Sequence, residues 1–248
     1  MDRLLYIAMN GARSMFERQA QISHNLANVS TAGFRAETTA FRALPVLGPG
    51  QSTRAFVTET TTGTDFSLGP MRETGRLFDV AVDGKGFIAV RGADGREAYT
   101  RDGALEVGRG GLLETRNGLP VLTDAGATLA IPPESIVTIG RDGTVSVVPT
   151  MGTPNTATIV GRIKLVNPPE KNVERGADGL FRNRDGKPAR SDASVGITSG
   201  MLEGSNVNAV EAITSIISTA RQYDTQIRLM QAADQNSRGL SQLLNLNA

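Results

Sequence analysis

The chain has 248 residues, 39% of them hydrophobic and only 4% aromatic, with no Trp and no Cys. Its 26 basic and 25 acidic residues are interspersed and leave a formal net charge of +1, so no basic stripe is available to bind nucleic acid by counterion release. The lack of cysteine excludes disulfides, thiolate chemistry and cysteine-held metals, and no apolar run reaches the roughly 18 residues that would cross a bilayer.

At the N-terminus an apolar stretch of roughly six residues is broken by Asn10 and Arg13, short of the 7–15 or so that a secretory signal needs. The expectation is a cytosolic chain, or one exported by a route that reads no cleaved signal. Apolar residues then recur in steps of four and three: Met1, Leu5, Ala8, Ala12, Met15, with Gln19 as a polar member, then Ile22, Leu26 and Val29. That is a heptad seam on one helix. Gly11 inside it costs about 1 kcal/mol relative to Ala, so the helix is expected to order against neighbours rather than alone.

The helix ends in SHNLANVSTAGFR, residues 23–35, where Asn25, Asn28, Ser30, Thr31 and Gly33 crowd together. Gly33 can take positive φ beyond the helix, and the polar side chains suit either hydrogen bonds to a neighbouring chain or a local cap. Residues 36–75, rich in Thr, Pro and Gly, show no helical period and read as an extended linker segment. Over 76–202 short β-like runs follow (LFDVAV, GFIAV, ALEV, LLET, IVTI, TVSVV, TIVGRIKLV), with Asp-Gly pairs at 83, 94, 102, 142, 178 and 185 as hairpin-turn signals. Asn208 with Glu211 reads as a helix N-cap and its capping-box partner. A second seam runs through Ala209, Ile213, Ile216, Ala220, Tyr223, Ile227 and Met230, then slips by one through Ala233, Ser237, Leu240 and Leu244.

The expected fold class is therefore α+β: long N- and C-terminal helices, 1–35 and 203–248, forming a coiled-coil domain, with an inserted all-β domain of short strands. His24 is the only histidine, which rules out a His-dependent triad and a paired-His zinc motif. The Asp-Gly pairs lack the loop length and following Glu of a calcium site, and GKGF at 84–87 lacks the context of a phosphate loop. No motif selects catalytic, cofactor-binding or metal-binding residues. No enzyme activity and no cofactor are expected.

NLANVSTAGFR at 25–35 resembles the N-terminal signature of bacterial flagellar axial proteins, the rod and hook family, carried here by Asn25, Leu26, Ala27, Asn28, Thr31, Gly33 and Phe34. LEGSNVNAVEAITSIISTARQYDTQ at 202–226 is similar to the family's closing signature, opened by Ser205, Asn206 and Val207. DVAVDGKGFIAV, YTRDGALEV and GRDGTVSV follow the family's β-domain phrases in order. Within the family the start, the segment FRALPVLGP and the tail look most like a proximal-rod member. A distal-rod member is the alternative, although the insertion usual there after the first signature does not fit into 36–70.

The resemblance implies a structural subunit of the flagellar basal-body rod, which transmits torque from motor to hook and filament. It implies terminal helices pairing in an inner coiled-coil tube with the β domain outside. It also implies passage through the flagellar export apparatus, a periplasm-spanning location, and partners among proximal and distal rod proteins and copies of itself in a helical stack, with no nucleic acid and no membrane insertion. The seam residues are then the expected assembly contacts. An exported β-fold hydrolase and a cytosolic coiled-coil adaptor are rival classes, and neither explains both terminal signatures.

Overall fold

The computed structural model describes residues 2–45, 55–150 and 157–245. Contacts divide the chain into two compact units. The first holds residues 1–29, 36–65 and 207–248; the second holds 30–35 and 66–206.

In the first unit, helix α1 (Asp2–Ala27) and helix α2 (Ala209–Asn245) pack along each other, and α1 also packs on a hairpin of strands β1 (Glu37–Pro45) and β2 (Ala55–Thr64). The hairpin is antiparallel, with a bulge between Ala40 and Phe41. Its strands lie in the segment, 36–75, read from the sequence as an extended linker. Their Thr content explains the strand, because branched Cβ atoms suit a pleated backbone better than a helix. α2 starts as its sequence suggests: the Asn208 side-chain oxygen accepts from the backbone N–H groups of Val210 and Glu211 at 3.1 and 3.3 Å.

The coiled-coil domain expected of the terminal helices is corrected by this arrangement, while a mixed α+β class remains consistent with it. The described residues hold one helix at each end, and the surface of α1 is shared between α2 and the hairpin. The buried positions are also wrong for knobs in holes. They are small or polar: Ala8, Ala12 and Ser14 on α1, Ala212 and Thr219 on α2. Gly11 leaves the room that the Gln226 side chain fills, since a Cβ there would stand 3.2 Å from that amide.

The second unit is built from short antiparallel strands in several small sheets. A five-stranded sheet runs in the order Leu165–Val166, Phe87–Arg91, Glu97–Thr100, Phe181–Asn183, Val173–Arg175. A three-stranded sheet orders Thr158–Arg162, Thr144–Pro149, Ser135–Ile139. Val80–Asp83 pairs with Gly196–Ser199, and Met71–Glu73 pairs with Met201–Glu203.

Phe87–Arg91 is buried on both faces, which is why it reads as an unbroken apolar run. Ile88 and Val90 join the main core with Leu105, Leu113, Val145 and Ile163, while Phe87 and Ala89 join a second cluster with Tyr99, Val173 and Phe181. Of the Asp-Gly pairs, those at 94, 142 and 178 close hairpins between adjacent strands. In each, an Asp carboxylate accepts from the backbone N–H two residues on, and the following Gly has positive φ. Asp83-Gly84 and Asp102-Gly103 join strands that do not pair with each other.

Candidate functional site

The N-terminal signature is shared between the units. Asn25, within α1, uses its side-chain amide like a strand backbone: Nδ2 donates to the Glu37 carbonyl and Oδ1 accepts from the Glu37 N–H, both at 2.9 Å. Asn28 Nδ2 donates to the His24 carbonyl at 2.9 Å, and the helix closes through tightened bonds from the N–H groups of Asn28 and Val29 to the carbonyls of Asn25 and Leu26. Ala27 and Thr31 are exposed.

The rest of the signature belongs to the second unit and ends in a buried charge cluster. Glu203 has a fully buried carboxylate held by two arginines: Arg35 Nη2 lies 2.7 Å from Oε1 and Arg101 Nη1 lies 2.8 Å from Oε2. Oε1 also accepts from the Gly69 N–H at 2.9 Å. Arg35 Nη1 donates to the Ser67 carbonyl at 2.6 Å, and Arg101 Nη2 donates to the Gly84 carbonyl. Burial pushes the Arg101 guanidinium below its ordinary pKa and the Arg35 charge adds to this, while the facing Glu203 carboxylate pulls it back up. The Phe87 ring lies 5.5 Å beneath Arg101, and Phe34 is capped by Arg175 at 4.5 Å.

Backbone bonds run through the same place. Gly33 N–H donates to the Glu203 carbonyl at 2.8 Å and Asn206 N–H donates to the Phe34 carbonyl at 3.3 Å. Gly33 has φ +66°, and a Cβ on it would stand 2.2 Å from the Arg101 carbonyl carbon. No other residue type fits that approach. Ser205 is buried, and Asn206 Nδ2 donates to the Ser67 carbonyl and hydroxyl at 3.2 and 3.1 Å. The structure thus brings Gly33, Phe34, Ser205 and Asn206 together.

The seam residues fare differently. On α1, Ala8 and Ala12 are buried, and Met15, Ile22, Leu26 and Val29 are half-buried. The side chains of Leu5, Ser237, Leu240 and Leu244 lie outside the described residues, as does Met1. On α2, Ile216, Ala220, Tyr223, Ile227 and Met230 are half-buried, whereas Ile213 is 48% exposed. Ala212 and Thr219, one position earlier than Ile213 and Ala220, take the buried places at 8% and 1%. Tyr6, Met9 and Phe16 on α1, and Val210, Ile213, Ile217 and Leu229 on α2, leave large apolar side chains exposed.

Arg35, Arg101 and Glu203 were not singled out by sequence reasoning. Each sits in a signature phrase (GFR, YTRDG, LEGSNV), but nothing in the spacing announces that they meet.

Two family descriptions match the chain: "Flagellar basal body rod FlgEFG protein C-terminal" over residues 198–243 and "Flagellar hook protein FlgE/F/G D1 domain" over residues 81–147. The chain is 42% identical to flagellar basal-body rod protein FlgF of Salmonella typhimurium and 41% identical to that of Escherichia coli, each over the whole of both chains. It is 31% identical to flagellar basal-body rod protein FlgG of Buchnera aphidicola subsp. Schizaphis graminum, covering 96% of this chain and 98% of that one. The chain belongs to the flagellar basal-body rod protein family and is FlgF-like. It is a structural subunit of the flagellar basal body, associated with other rod components, and not an enzyme.

Proposed function

We propose that this subunit occupies the proximal part of the rod, stacked with copies of itself and with other proximal and distal rod proteins along a helical path through the periplasm. It reaches that place through the flagellar export apparatus and, once assembled, passes torque from the motor toward hook and filament. The observation that carries the stacking is the exposed apolar side chains on both helices. Val210, Ile213 and Ile217 recur at i, i+3 and i+7, as one helical stripe would, and Tyr6, Met9 and Phe16 form another at i, i+3 and i+10. Contacts that repeat from copy to copy without closing a ring build such a stack. The full-length likeness to FlgF proteins supports the proximal position, and the weaker likeness to FlgG keeps a distal position as the second reading.

Basal bodies isolated from a deletion strain test this by electron microscopy. The expected result is a membrane ring carrying a missing or stunted rod, without hook or filament. The point at which the rod stops separates a proximal from a distal position. Intact rods and normal swimming in the deletion strain would refute the proposal.

A further inference from the structure

The chain passes between its two units four times: after Val29, after Arg35, after Asp65 and after Asn206. On the second unit's side, all four passages lie within a few residues of one another in space, gathered around Glu203. The first two bound the segment Ser30–Arg35, which is held by the Gly33 N–H on the Glu203 carbonyl and by the Arg35 guanidinium on its carboxylate. The third leads to Ser67, whose carbonyl accepts from Arg35, and to Gly69, whose N–H donates to Glu203 Oε1. The fourth leaves at Asn206, bonded through its backbone to Phe34 and through its side chain to Ser67. Arg101 ties the same carboxylate to the β core, because its guanidinium also donates to the carbonyls of Val82 and Gly84.

We infer that the Arg35–Glu203–Arg101 cluster is a mechanical anchor. It fastens every passage of the chain out of the β unit to one point of the core, so that a force arriving along the helical unit is taken up by the core rather than peeling the connecting segments away. Covalent continuity alone would let each connection lengthen under load until its own hydrogen bonds gave way. A carboxylate shared by two buried guanidiniums and a backbone N–H makes the connections yield together. Each charge in the cluster loses its compensation if one partner leaves, so partial release is strongly disfavoured. The anchor is a property of the folded chain and stands apart from the proximal or distal position of the subunit.

The full-length chain can be pulled between one point on each unit. It has no cysteine, so Gln222→Cys on α2 and Ala125→Cys in the β unit, both exposed, supply the only two attachment points for optical-tweezer handles. The parent is expected to hold under constant load until the β unit gives way in one step. With Glu203→Gln an earlier, separate lengthening is expected, its lifetime at the same load shorter by about 100-fold or more. Hydrogen exchange at the Gly33 and Gly69 amides is expected to rise in the same variant while the amides of 87–91 stay protected.

Leu105→Ala, which weakens the core away from the cluster, is expected to shorten the single step without creating an earlier one. If Glu203→Gln does not fold, Arg35→Lys keeps a cation while losing the fork that also reaches Ser67, and is expected to show the early step in milder form. An unchanged lifetime in the folded cluster variant overturns the inference. So does a cluster variant that behaves like Leu105→Ala, with no separate early step. Neither outcome depends on motility, so both are distinguishable from a failure of the rod assignment.

Discussion

Gly33 and Gly75 have nearly the same backbone angle, φ +66° and +69°, but a Cβ at Gly33 would lie 2.2 Å from the Arg101 carbonyl carbon while one at Gly75 meets nothing within 4 Å. Substituting each by Ala therefore separates strain from space. Holding an L-residue in the left-handed region costs about 1–2 kcal/mol, and that is all Gly75→Ala should lose. Gly33→Ala adds an overlap with backbone that a side-chain rotation cannot relieve. Overpacking adds about 1–3 kcal/mol, so the total is about 2–5 kcal/mol. Urea unfolding of the full chain, followed by Tyr fluorescence and by circular dichroism at constant m-value, measures both variants. Equal losses for the two would refute the close packing of the signature turn against Arg101.

Other expectations follow from the same geometry. Thr219→Asp puts a charge at a position 1% exposed and should lower the melting temperature of the helical signal by many degrees; Ile213→Asp, at 48% exposure, should change it by little yet abolish incorporation into rods scored by swimming. Asn25→Ala removes both bonds to the Glu37 backbone and leaves that donor and acceptor to water, a loss of about 1–3 kcal/mol measurable by urea titration, with faster exchange of the Glu37 amide. The forked Arg182 holds the Asp178 carboxyl below the usual carboxylate range. A folded-state pKa below the unfolded one gives stability that is present above about pH 4 and is lost as pH falls further. The pair is partly exposed, so Asp178→Asn should flatten the acid limb of the stability curve only slightly, and an unchanged limb would show that the pair contributes nothing.

Periodicity made the helices legible, because steps of three and four over many residues cannot be produced by a strand. The apolar runs between turn residues exposed most of the strands in the same way; Val80–Asp83 and Phe87–Arg91 read as unbroken apolar runs and are buried on two faces. Strands β1 and β2 fall in the segment read as extended; their pairing is not legible in the sequence, where branched Thr side chains are the main signal. On α2 the large apolar residues suggested the buried row, but the inside is taken by Ala212 and Thr219, which suit two helices that come close together. Of the large apolar residues in that row, Ile213 is exposed, whereas Ile216, Tyr223, Ile227 and Met230 are half-buried beside the two small residues. The charge cluster was the least legible feature. Arg35, Arg101 and Glu203 are ordinary charged residues in sequence, and they gain meaning only where the tertiary fold removes water from around them.

The distance between Arg101 and Glu203 along the chain, 102 residues, also has a kinetic consequence. The turns at Gly92–Arg96, Gly140–Thr144 and Gly176–Leu180 each close over five residues with the same pair of backbone bonds. Closing a loop of 102 residues rather than 5 costs about 2.7 kcal/mol more in chain entropy, from the three-halves RT ln n dependence on length. Local hairpins close in about 1–10 μs, so they stand ready long before the distant partners meet. Arg101 waits with its charge still hydrated until residue 203 arrives. The charge cluster is therefore completed only after residue 203 is available, long after the local turns have closed.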